Sequence, residues 1–160
     1  MFVHYIIEKH NLNNEKAVDI ALARKDNRRA LDLAQAATKR WPEQRALGIA
    51  YAAALQSNGR HAEAQDYLRA KIKQWGSDEP SLYQMLANSE ERTGKPVQAR
   101  RDLARYYVLT GAFAAAESQL QQARGMSSDF YEQSQIDVQI KEVKDKLAEE
   151  RQLLERFKSG

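Results

Sequence analysis

The chain has 160 residues, with 25 Lys and Arg against 22 Asp and Glu, and its +3 formal charge is interspersed rather than gathered into a basic stripe. That length suits one compact domain or one short solenoid, and the charge does not argue for nucleic acid as a partner. The absence of cysteine excludes disulfides and thiolate metal sites, and no apolar run approaches the roughly 18 residues of a membrane span.

Only three prolines and seven glycines interrupt long Ala-, Gln-, Leu-, Arg- and Glu-rich runs, a composition that favours helix nearly throughout. The opening Phe2-Val3-His4-Tyr5-Ile6-Ile7 is apolar but short. It lacks a basic leader and is followed by Glu8-Lys9-His10 with no small-residue cleavage site, so it does not read as a secretory signal. Residues 1–12 are expected to be an N-terminal segment entering from a missing upstream domain, the chain being part of a longer protein.

Residues 13–24 and 27–40 read as a first helical hairpin. Asp26 or Asn27 caps its second helix, and Ala30, Leu31, Ala34 and Ala37 form the apolar face. Trp41-Pro42 ends it, since proline cannot continue a helix. The second hairpin spans 43–58 and 61–75, with Leu47, Tyr51 and Leu55 on one helix, Ala64, Leu68 and Ile72 on the other, and Gly59 at the turn. Ser77 or Asp78 is expected to cap the next helix, with Pro80 in its first turn. Residues 79–93 present Leu82, Tyr83, Leu86 and Ala87. After Gly94-Lys95-Pro96, residues 96–109 carry Ala99, Leu103 and Tyr106, and residues 113–124 carry Ala116, Leu120 and Ala123. A loop at 125–129 leads into a long amphipathic helix over 129–157, with Ile136, Ile140, Val143, Leu147 and Leu154 on its stripe. This helix is expected to cap the apolar end of the array, ahead of a coiled-coil role.

Ala30, Ala64 and Ala99 are spaced by 34 and 35 residues, and each follows a turn signal by about five. A 34-residue period with a small residue early in every second helix is the tetratricopeptide (TPR) pattern. The fold class is therefore read as all-α, a TPR-type α-solenoid of antiparallel helical hairpins closed by a long C-terminal helix. Its repeats are 13–42, 43–76, 79–110 and 96–124, followed by the C-terminal helix region 125–160. The last two repeats overlap because Ala116 follows Ala99 by only 17 residues, so the helix at 96–109 is expected to serve both. Small residues belong where helices cross at about 8–10 Å.

No catalytic constellation is legible. His4, His10 and His61 stand outside any His-Glu-x-x-His motif, the glycines are single turn residues, and the serines lack a nucleophile elbow. Neither a metal site nor a cofactor is expected in this chain. What remains is a groove. Counting outward from each turn places Gln56, Gln84, Asn88, Arg92, Arg101 and Arg105 along the concave side. Such a mixed polar and basic row suits a protein or extended peptide, whose backbone amides need partners. Asn88 fits one place of the clamp by which some TPR domains hold carboxylates, but Gln84 stands where its lysine would be, so no such clamp is read.

The C-terminal third carries a more particular likeness. Ala104-Arg105-Tyr106-Tyr107-Val108-Leu109-Thr110-Gly111, then Gln119-Leu120-Gln121-Gln122-Ala123, then Asp129-Phe130-Tyr131-Glu132-Gln133-Ser134-Gln135-Ile136-Asp137, and the ending Leu154-Glu155-Arg156-Phe157-Lys158, resemble in order the tail of BepA-like bacterial zinc metalloproteases. The resemblance implies a periplasmic location and a TPR domain that recruits substrates or the outer-membrane assembly machinery. Zinc belongs to the family's separate protease domain, and none of its ligands falls on these residues. The expected function is a protein-interaction module for outer-membrane protein quality control. The alternative is a free-standing TPR adaptor in a secretion or pilus-assembly complex.

Overall fold

Turn chemistry sets where the helices break. The computed structural model describes residues 2–158, with side chains from Asn13 onward. Among the described residues every regular element is an α-helix: α1 (Phe2–Ala23), α2 (Asn27–Arg40), α3 (Arg45–Ser57), α4 (His61–Trp75), α5 (Pro80–Arg92), α6 (Pro96–Leu109), α7 (Phe113–Met126) and α8 (Phe130–Lys158).

Four of the connections are one structure repeated. Lys25, Gly59, Gly94 and Gly111 all adopt left-handed backbone, with φ of 60°, 72°, 75° and 77°. In each case the next residue donates its N–H to a carbonyl five residues back: Asp26 to Ala21, Arg60 to Leu55 and Lys95 to Glu90 at 2.9 Å, and Ala112 to Tyr107 at 2.8 Å. This is the Schellman C-cap, which satisfies carbonyls that the helix end leaves open. Five residues after each left-handed residue comes the alanine expected from the sequence. Ala30, Ala64 and Ala116 are wholly buried, and Ala99 is nearly so.

The chain divides after Ala70 into two compact units, the boundary falling inside α4. In the first unit α1 packs on α2 and α3, and α2 on α3. Val18, Ala21, Ala30, Ala34, Ala50 and Ala54 form its core. Asn27 and Asn58 clasp the ends of α2 and α3: Asn27 donates to the Ser57 carbonyl at 2.8 Å, and Asn58 to the Asn27 carbonyl at 2.6 Å. Tyr51 on α3 meets Tyr67 on α4 edge to face, centroids 5.0 Å apart. In the second unit α6 packs against both α5 and α7, and α7 packs on α8. Ala104, Ala116, Leu120, Ala123, Ile136 and Val143 are its core.

The structure corrects the sequence reading in four places. The first helix begins at Phe2 and not at residue 13, so the segment read as 1–12 is helical from Phe2 onward and continuous with α1. Glu79, not Ser77 or Asp78, flanks the start of α5. Pro80 explains this: it takes the first helical position and holds the residue before it extended. Gly125 and Met126 belong to α7, and the connector is only 127–129. There Asp129 caps α8, accepting the Glu132 N–H at 2.6 Å. Finally, on the α8 stripe Ile136 and Val143 are buried, Ile140 and Leu147 are half-buried, and Leu154 is 54% exposed. α8 has 29 residues against 14 in α7. At 1.5 Å per residue, roughly 43 Å of helix outruns about 21 Å of partner.

Because nothing lies within 4 Å of a Cβ built on Gly94, Gly94→Ala tests backbone conformation alone. It should cost about 1 kcal/mol, while Lys25→Gly, which relieves a side chain from left-handed backbone, should raise the melting temperature by about 1–3 °C. Calorimetry of the two variants checks both signs.

Burial, with Tyr51 adding to it, pushes the Tyr67 phenol up to about 12, against about 10 when unfolded. The contribution to stability is fully present below about pH 10 and is lost as pH rises toward about 12. Urea unfolding of Tyr67→Phe across this range should show a shallower loss of stability than the parent.

Candidate interaction surface

Helical spacing puts Gln84, Asn88 and Glu91 on one face of α5, since residues three and four apart are neighbours. The opposite side of that helix is committed to the interior: Leu82, Leu86 and Ser89 are buried. Facing the polar row across α6 are Ala99, Arg100 and Leu103. With Ala87 these residues line an open hollow of about 340 Å³. Its floor is apolar and its rim is amide, carboxylate and guanidinium. Gln84, Asn88 and Glu91 make no side-chain bond among the described residues. Arg100 is held, donating from Nη1 to Gln119 Oε1 at 3.2 Å.

The five groove residues read from the sequence in the second unit do not form one row. Gln84 and Asn88 share the hollow just described. Arg92 is exposed in the last turn of α5, outside it. Gln56 lies near the end of α3 in the first unit, half-buried. Arg101 and Arg105, one turn apart on α6, lie outside the hollow of Gln84 and Asn88 and line a cleft beside α8.

There Arg101 is an anchor. It donates from Nε to Gln139 Oε1 at 3.1 Å and from Nη2 to Gln135 Oε1 at 3.3 Å, and Nη1 lies 3.8 Å from Glu132 Oε1. Arg105 is exposed, reaching the Ser77 carbonyl at 3.4 Å and lying 5.9 Å from the centre of the Tyr83 ring. Two further pairs tie α8 to α7: Arg124 with Asp137 at 2.5 Å and Lys144 with Glu117 at 3.6 Å. The Asp137 carboxylate, hydrogen-bonded to the Arg124 guanidinium, raises its pKa.

Sequence counting missed Arg100, Gln139, Glu142 and Lys146 as surface-forming residues. The α8 members could not be placed from a repeat period, because α8 lies beyond the last repeat. Among the described residues no group of three or more His, Asp and Glu could hold a metal ion, and no helix is long and apolar enough to cross a membrane. His61 opens α4, while the side chains of His4 and His10 lie outside the described residues.

No protein-family model matches the chain, and no curated protein matches it either.

Arg101→Ala should loosen α8 from α6 at a cost of about 1–2 kcal/mol, the usual range for hydrogen bonds from a charged, partly screened group. Amide hydrogen exchange should quicken in α8 while α5 stays unchanged. A uniform change across both helices would mean that Arg101 does not anchor α8.

Proposed function

We propose that this chain is a TPR-type protein-interaction module, the part of a bacterial envelope metalloprotease that recruits substrates or the outer-membrane assembly machinery. The observation that carries the interaction reading is the hollow between α5 and α6. Unengaged Gln84, Asn88 and Glu91 stand there over Ala87, Ala99 and Leu103. An extended peptide presents a donor and an acceptor at nearly every residue, and side-chain amides offer both in return. The apolar floor takes the peptide's side chains.

The family assignment, with its periplasmic location, rests on the residues that resemble BepA-like proteases. These residues run through the second half of α6, through α7 and into the start of α8, and include the last residues of α8. In this reading catalysis and zinc belong to a separate protease domain, and this chain supplies recognition.

A photocrosslinking residue placed at Asn88 or Gln84 in the cell envelope should capture unfolded outer-membrane proteins or their assembly machinery. The same residue at exposed Glu149 should not. Equal yields from all three positions would remove the hollow as the contact, and recovery of the protein in the cytosolic fraction would remove the envelope assignment.

A further inference from the structure

A second cleft lies between α6, α7 and α8. Ala104, Val108, Leu120 and Val143 form its floor, and Arg105, Glu142 and Lys146 stand at its rim. Its volume is about 90 Å³, below the roughly 150 Å³ of a cavity that holds benzene. It therefore admits one aliphatic side chain and not a small-molecule ligand of ordinary size. The cleft shares Arg101, Arg105 and Gln139 with a wider hollow that reaches Tyr83. The two lie side by side along α6 as one trough, with the bonded pair Arg101 and Gln139 between them.

The charges along this trough are unequally used. Arg101 is occupied by Glu132, Gln135 and Gln139. Arg105 and Lys146 are exposed, and neither pairs with a carboxylate among the described residues. Lys146 Nζ lies 5.9 Å from the centre of the Phe113 ring. The carboxylates facing the trough are Glu142 at the cleft and Asp102 in the wider hollow. Two unpaired cations beside an apolar floor complement a ligand that is apolar at one point and anionic on either side.

We propose that this trough binds an extended acidic segment of a partner protein, with a leucine-like side chain in the cleft and carboxylates of neighbouring residues against Arg105 and Lys146. In an extended chain, alternate residues share a face about 6.6–6.8 Å apart, so the matching pattern is Glu-x-Leu-x-Glu. The assignment rests on the peptide-binding reading of the protein but uses a different face of α6 from the Gln84–Asn88 hollow.

The test is titration of the isotope-labelled chain with a capped Glu-Ser-Leu-Ser-Glu peptide, followed by NMR. Shifts should cluster on α6 and α8. Replacing both glutamates by glutamine, or the leucine by alanine, should each weaken binding about fivefold, as should Arg105→Gln with Lys146→Gln. Glu142→Gln, which removes the opposing charge, should tighten binding about twofold. Asn88→Ala should leave it unchanged, which separates this site from the first hollow. The proposal is overturned if the glutamine peptide binds equally well, if the shifts fall on α5 instead, or if no binding occurs up to millimolar peptide. Any of these alongside positive crosslinks from Asn88 removes the trough and leaves the interaction module standing.

Discussion

The burial of four alanines, which leaves room for no larger side chain, is the constraint on which the rest of this structure depends. Each alanine lies five residues beyond a left-handed turn residue, and the backbone bonds around all four turns are the same. A larger side chain at such a position would have to push the helices apart or leave its rotamer. The same economy of side chain shapes the surface. Ala87 and Ala99 floor the hollow beside Gln84, and Ala104 floors the cleft beside Arg105. Both concavities exist because small residues sit between closely packed helices whose outward-facing neighbours are long and polar.

The second consequence is the division of labour on α6. A helix that packs on one neighbour keeps a broad solvent face, whereas α6 packs on both α5 and α7 and is left with narrow exposed strips. Arg100 falls on one strip and Arg101 on another, about 100° of helical rotation apart. Adjacent arginines therefore serve different surfaces. Arg100 borders the α5 hollow, while Arg101 is spent holding α8 in place. Arg105, one turn further on, remains exposed and pairs with no carboxylate among the described residues, although Glu142 of α8 lines the same cleft.

Much of the fold was legible in the sequence because its determinants are short-range. A left-handed turn residue and an alanine five residues later act within one or two helical turns, and the turns at Gly59, Gly94 and Gly111 were read from their glycines. The first turn was read only as Lys25-Asp26-Asn27, with the cap open between Asp26 and Asn27, and there Lys25 is the left-handed residue and Asp26 the cap. Two of the misreadings were local too. Pro80 moved the start of α5 to its own position, and Gly125, a lone glycine in a run of helix formers, was absorbed into α7. A single glycine costs a helix only about 1 kcal/mol relative to alanine, and α7 bears that through Ala116, Leu120 and Ala123, all buried.

The candidate surface was legible only in part, and the reason is distance along the chain. Gln84 and Asn88 could be placed together because one helix carries both. That Arg101 is an anchor rather than a groove residue depends on Gln135 and Gln139, 34 and 38 residues away, and the cleft beside Arg105 depends on where Glu142 and Lys146 come to rest. The sequence by itself determined the helices, their turns and the small residues at their crossings, since these follow from backbone conformation and periodicity. Only the tertiary structure decided which polar side chains are consumed in packing and which stay available, because that depends on the return of α8 against α6, which no local pattern encodes.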